Sequence, residues 1–111
     1  MYKVSGTTIT LTRGDTFIAT IEMHIGTKDG EEYIPNAGDS VRFALKRRYE
    51  DKEPLILKTI PLDTMELRLE PEDTKPLKFG DYVYDVELTT ETGIVDTFIH
   101  EADFILAREV H

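Results

Sequence analysis

The feature that most constrains the fold of this chain is the alternation of apolar and polar residues along several short segments. In the segment 16–25 the odd positions from 17 to 25 are all apolar. A period of two places these side chains on one face of a β-strand, because successive strand residues point to opposite sides. The same period recurs over 7–12, 41–46, 65–70 and 82–88, and less regularly over 55–60 and 94–110. The sequence therefore predicts β-strands along most of its length.

Composition and turn signals agree with this prediction. Thr, Ile, Val, Tyr and Phe, which suit a pleated and half-buried surface, far outnumber the five alanines. Gly- and Asp-containing breaks, such as 13–15 and the Asp-Gly pair within 28–31, separate the segments. The interruption at 100–103 predicts either a β-bulge or a strand break in the last segment. Pro71 can start a helical turn that Pro76 ends. We expect one domain over 1–111: an all-β, antiparallel immunoglobulin-like sandwich of about 7–8 strands, with one short helical turn near 71–76.

A tyrosine pair after a glycine supports this fold. Gly80 leads into a strand in which Tyr82 and Tyr84 share the inner face. The pattern predicts a tyrosine corner, in which a Tyr near the start of strand F sends its hydroxyl back to the preceding corner. Tyr84 occupies the place where antibody domains have a cysteine, and this chain has no cysteine at all. We therefore expect the corner residues Gly80, Tyr82 and Tyr84 to do without an inter-sheet disulfide.

Charge excludes some partners. The net charge is −9, from 13 basic and 22 acidic residues, and the whole imbalance lies in 63–111. Nucleic-acid binding depends on clustered cations, so we expect neither nucleic acid nor an anionic membrane surface as a partner. No apolar run reaches the roughly 20 residues of a membrane helix, and the N-terminus lacks the apolar core of a signal peptide.

The uneven charge predicts an interface. In an immunoglobulin sandwich the strands near 41–48, 80–90 and 94–110 share one sheet. We expect an acidic patch on one face of that sheet beside a basic strand end, and such neighbouring patches can steer two copies into a head-to-tail contact that closes into a ring. A solvated acidic face is the simpler alternative. The candidate interface residues are Lys46, Arg47, Arg48, Asp85, Glu87 and Asp96.

Catalytic and metal chemistry finds little support. His100, Glu101 and Asp103 are close enough in sequence to suggest a metal site, but neighbouring strand residues point apart, which favours a solvated bulge. The two serines, Ser5 and Ser40, have no histidine nearby to act as a base. We expect no catalytic residue, no cofactor-binding residue and no metal ligand. The tripeptide at 13–15, which matches an adhesion motif, is interpreted as a turn.

Several segments, taken in order, resemble a known family. They are ITLTRGDT at 9–16, DG at 29–30, YIP at 33–35, GDSVRF at 38–43, GDYVYDVEL at 80–88 and FIL at 104–106. Together they resemble the immunoglobulin-like N-terminal domain of phage baseplate upper proteins and related small prophage tail proteins, over nearly the whole chain.

The resemblance implies a non-enzymatic phage or prophage structural protein without cofactors, which docks on other phage structural proteins in a tail or baseplate. It places the protein in the virion, or in the host cytoplasm during assembly. The family's proteins continue into further assembly or receptor-attachment parts, whereas this sequence stops at His111, so we expect an adaptor or accessory role. The alternative is a carbohydrate-binding β-sandwich that recognises host-surface glycans, for which Tyr2, Tyr33 and Tyr49 are the candidate stacking residues.

Overall fold

The computed structural model describes residues 2–22 and 36–108. Short amphipathic segments form eight strands and one helical turn in these residues. The strands are β1 (Tyr2–Ser5), β2 (Thr8–Thr12), β3 (Phe17–Thr20), β4 (Ser40–Lys46), β5 (Ile56–Ile60), β6 (Glu66–Leu69), β7 (Gly80–Thr89) and β8 (Val95–Ala107), and the helix α1 is Pro71–Thr74. The predicted all-β class is confirmed, and so is the helical turn near 71–76.

The strands form two sheets. One has six strands in the order β1-β2-β8-β7-β4-β5, and the other pairs β3 with β6. All pairs are antiparallel except β2 and β8, which run parallel. The prediction of a purely antiparallel fold is therefore wrong at this pair. Hairpins force antiparallel neighbours, whereas β2 and β8 are joined only through the whole intervening chain, which can bring them together in either direction.

The inward faces of both sheets contribute to one buried cluster. Alternate residues of each strand supply it, as the period of two predicts. Its largest fully buried side chains come from seven strands and are Leu11, Phe17, Val41, Phe43, Leu45, Ile60, Leu67, Leu69, Leu88, Phe104 and Leu106. Burial of aliphatic and aromatic side chains at about 25 cal/mol per Å² is the main stabilising contribution in a chain without disulfides.

Some element boundaries differ from the predictions. Strand β1 was not predicted, because its four residues are too short to show a period. Within 16–22, only Phe17–Thr20 form a strand. The last segment is one continuous strand, Val95–Ala107, so the interruption at 100–103 does not break it. The predicted hairpin turn at 28–31 and the candidate stacking residue Tyr33 lie outside the described residues.

The helical turn α1 is fixed at both ends. Its proline stands at the first helical position, and the backbone N–H of Glu70 donates to the Asp73 carboxylate at 2.7 Å. The hydroxyl of the fully buried Thr74 accepts from the N–H of Gly14 at 2.9 Å, which ties α1 to the turn between β2 and β3. Across 2–22 and 36–108, no helix has the length and apolar character needed to cross a membrane.

Candidate functional site

The outer face of β4 and β7 carries the first part of the predicted interface. Register pairs Arg42 with Glu87, Ala44 with Asp85 and Lys46 with Val83, so all these side chains point away from the core. Asp85 and Glu87 thus lie on the outer face, as predicted. Both of these acidic residues are nevertheless engaged within the molecule.

Glu87 is paired across the sheet. Its carboxylate lies 3.5 Å from the guanidinium of Arg42, with both side chains partly exposed. A surface ion pair of this kind adds little stability, on the order of 0–1 kcal/mol. Its main effect is on the electrostatic potential of this face. The charge of Arg42 neutralises that of Glu87, which was predicted to belong to an acidic patch.

Asp85 binds a β-bulge in β8 through its carboxylate. Two residues of β8, His100 and Glu101, face the single residue Asp85 between the pairs Tyr84–Ala102 and Val86–Ile99. Glu101 takes a left-handed φ of 51°, and its N–H donates to the Asp85 carboxylate at 2.6 Å. The bulge predicted at 100–103 is therefore present, and Asp85 holds its backbone.

His100 completes this part of the surface. Its Nδ1 lies 3.8 Å from the Asp85 carboxylate, and its ring meets that of Tyr49 edge to face at 4.9 Å. In the described ranges, 2–22 and 36–108, no three His, Asp or Glu side chains are grouped so as to hold a metal ion. Asp85 and His100 instead join the bulge to the loop that follows β4.

Asp96 does not share the outer face. It pairs directly with Leu88, and directly opposed residues of an antiparallel pair point to the same side. The prediction that Asp96 lies beside Asp85 and Glu87 is therefore wrong. The cause is a second register shift, in which Phe98 is an extra residue between the pairs Val86–Ile99 and Glu87–Thr97. Each such shift exchanges the two faces of the strand beyond it.

The basic residues after β4 point in different directions. Lys46 is on the outer face, whereas Arg47 places its guanidinium over the Tyr82 ring, 4.9 Å from the centroid. Gly80 allows this, since a Cβ at that position would approach the Arg47 Nη1 to 3.0 Å. Arg48 stays exposed, and its N–H donates to the Asp51 carboxylate at 3.1 Å. Arg47 thus covers the tyrosine corner at one end of the sheet.

The predicted tyrosine corner contains the expected hydrogen bond from a tyrosine hydroxyl to the preceding segment. The Tyr82 hydroxyl donates to the Lys78 carbonyl, four residues upstream, at 2.5 Å. The Tyr84 hydroxyl donates to the carbonyl of Thr7, just before β2. Burial raises the pKa of the Tyr84 phenol from 10.0 to about 12. Tyr84 therefore links β7 by a partly buried hydrogen bond to a part of the chain 77 residues away in sequence.

A second arginine cluster was not predicted, and we call it the Arg–Phe patch. It consists of Arg13, Phe79 and Arg108, with the guanidinium carbons of the two arginines 4.7 and 5.2 Å from the Phe79 ring centroid. Phe79 is 38% exposed. The parallel pairing explains the cluster, because β2 and β8 end side by side and are followed by Arg13 and Arg108. Sequence spacing gives no sign of this contact.

No family model, curated protein or solved structure matches this chain.

The opposite end of the same sheet carries the hairpin tip, which we define as residues 90–96. Thr90 organises it: its N–H donates to the Ile94 carbonyl at 2.8 Å, and its hydroxyl accepts from the Ile94 N–H at 3.0 Å. Gly93 has a φ of 93°, a conformation that favours glycine. Ile94 and Val95 are 63% and 57% exposed. The turn therefore presents two aliphatic side chains to solvent in a defined shape.

The tyrosines considered for sugar stacking lie apart. Tyr2 is on edge strand β1, where its hydroxyl donates to the Ile18 carbonyl at 2.9 Å and its ring meets Phe17 at 4.8 Å. Tyr49 packs edge-on against His100 in the loop after β4. Since β1 and β4 are separated by three strands in the sheet order, Tyr2 and Tyr49 do not form one platform.

Proposed function

We propose that this chain is a non-enzymatic docking module of a phage or prophage tail or baseplate, built as an immunoglobulin-like sandwich. It acts as an adaptor that binds other structural proteins of the particle. The sequence resemblance, which runs in order from 9–16 to 104–106, supports the phage setting.

The strand arrangement supports the immunoglobulin-like part of the proposal. Immunoglobulin domains place strands C, F and G in one sheet and strands B and E in the other. Here β4, β7 and β8 are neighbours in one sheet, and β3 pairs with β6 in the other. The Tyr82 hydrogen bond at the start of β7 matches the corner that precedes strand F.

The observation that carries the docking role is the pair of exposed surfaces at opposite ends of the β7–β8 hairpin. The hairpin tip exposes Ile94 and Val95, and the Arg–Phe patch exposes an aromatic ring flanked by cations. Exposed apolar groups rimmed by charge are typical of protein interaction sites. Arginine and aromatic residues are also enriched among those that contribute most to such contacts.

The test is whether the protein is part of a phage particle. Particles released after prophage induction are purified by density gradient, and their proteins are identified by mass spectrometry. We expect the chain at a fixed stoichiometry to the tail proteins, and particles with defective tails when its gene is deleted. Absence from purified particles, together with normal tails after deletion, would refute the proposal.

A further inference from the structure

We propose that the hairpin tip of one copy binds the Arg–Phe patch of a second copy. This inference rests on the proposed docking role and names its partner as another molecule of the same chain. It moves the predicted head-to-tail contact from the outer face of β7 to the two ends of the sheet.

The two surfaces lie too far apart to meet within one molecule. The β7–β8 ladder runs from the pair Gly80–Leu106, beside the Arg–Phe patch, to the pair Thr89–Val95 at the hairpin tip. At about 3.3 Å per strand residue, this separation is about 30 Å. The principal extents of the molecule, 46 × 26 × 23 Å, agree with such an elongated shape. A contact between these surfaces therefore has to join different copies.

The two surfaces have opposite charge. The hairpin tip carries the exposed acids Glu91 and Asp96 and no basic residue. The Arg–Phe patch carries two guanidinium groups that lie over the Phe79 ring. The Arg13 group is half-buried and also donates to the Leu77 carbonyl at 3.4 Å, whereas Arg108 is exposed, so Arg108 is the residue that offers its N–H groups to a carboxylate. Arginine binds carboxylates through paired, charge-assisted hydrogen bonds. Complementary charge of this kind orients the encounter of two proteins and selects between partners.

The apolar parts of the two surfaces also match. Ile94 and Val95 project from the tip, and the Phe79 ring, over which both guanidinium groups lie, is 38% exposed. Covering aliphatic and aromatic groups against each other removes both from water, which is the main driving force of association. The hydrogen bonds of Thr90 order the turn before binding, so little conformational entropy is lost there.

A contact between unlike surfaces has a consequence for assembly. Each bound copy still offers one free tip and one free patch, so the contact repeats and forms a ring or a filament. A contact between identical surfaces stops at a dimer. The form of the assembly therefore distinguishes the proposal from an ordinary two-fold dimer.

The experiment uses three variants and sedimentation velocity. Ile94→Asn disables the tip by replacing its aliphatic side chain with a neutral polar one, Arg108→Glu disables the patch, and Leu57→Asn is the matched control. Leu57 is 53% exposed on edge strand β5, away from both surfaces. We expect the wild-type protein and the control to form higher multimers with rising concentration, and each of the other two variants to bind itself at least about tenfold more weakly.

Mixing the two disabled variants gives the decisive measurement. The Arg108→Glu copy keeps an intact tip and the Ile94→Asn copy keeps an intact patch, so their mixture is expected to form heterodimers and nothing larger. Heterodimer formation also shows that both variants are folded. A wild-type protein that stays monomeric at its highest soluble concentration would overturn the inference, and so would a mixture that stays monomeric. Loss of assembly in Leu57→Asn alone would place the contact on the β5 edge and refute the proposal.

The outcome is independent of the proposed function. A monomeric chain that is nevertheless present in purified particles would leave the docking role intact and remove only the second copy as partner. A chain that self-associates but is absent from particles would support the contact between copies and refute the docking role in the particle.

Discussion

The buried phenol of Tyr84 predicts a specific loss of stability at alkaline pH. Its side chain is 3% exposed, and its pKa is raised from 10.0 to about 12 because burial disfavours the phenolate. Above pH 10 the unfolded chain releases this proton while the folded chain keeps it. The free energy of unfolding therefore falls as pH rises from about 10 to about 12, and Tyr84 causes no such loss below pH 10.

The size of the effect follows from the two pKa values. At pH 11 the phenol is more ionised in the unfolded state than in the folded state, which lowers the free energy of unfolding by about 1.4 kcal/mol. Above pH 12 this decrease approaches about 2.7 kcal/mol. Tyr84→Phe removes the titrating group. The variant also loses the hydrogen bond to Thr7, which lowers its stability at neutral pH by about 1 kcal/mol.

Urea unfolding of both proteins at pH 7, 9 and 11 measures the difference. All other ionisable groups are common to both proteins, so their contributions cancel when the two pH profiles are subtracted. We expect the wild-type protein to lose about 1.4 kcal/mol more than Tyr84→Phe between pH 9 and pH 11. Parallel profiles would refute the reasoning, because they would show that the phenol ionises as easily in the folded state as in the unfolded state.

Three further substitutions test local features. Tyr82→Phe removes the hydrogen bond to Lys78 and should cost about 1 kcal/mol in thermal unfolding, with the circular dichroism spectrum unchanged. Glu101→Gly places glycine, which adopts a left-handed φ without steric cost, at a position with φ 51°, and should stabilise the fold by about 0.5–1 kcal/mol. Glu101→Ala keeps a Cβ and should not stabilise it. Thr74→Val leaves the Gly14 N–H without its acceptor and should destabilise by about 1–3 kcal/mol, and an unchanged midpoint in urea would contradict this role.

Features that depend on local sequence could be predicted. The alternation over 41–46 and 82–88 identified β4 and β7 and the faces that they bury, since parity is a property of each strand alone. The corner was also visible, because the Tyr82 hydroxyl reaches only four residues back. Asp85 and Glu87 were correctly placed on the outer face for the same reason.

Features that depend on pairing could not. The extra residue at Phe98 moved Asp96 to the other face, and nothing in the alternation marks where a partner strand skips a residue. The neutralisation of Glu87 by Arg42 depends on the register between two strands. The Arg–Phe patch depends on β2 and β8 lying side by side in the same direction, which is a matter of topology.

The parallel pairing of β2 with β8 affects how this chain reaches its native state. Ile9 faces Phe104, so a strand made early in synthesis has to wait for one of the last segments before its own ladder can close. Contacts between such distant residues slow folding, because the entropy of closing the intervening chain is lost before the contact stabilises anything. During that delay the β1–β2 hairpin presents an unpaired edge, and such an edge is a template for pairing with a neighbouring nascent chain. The strand that closes the sheet in the finished protein is thus also the one whose late arrival leaves the growing chain most open to misassembly.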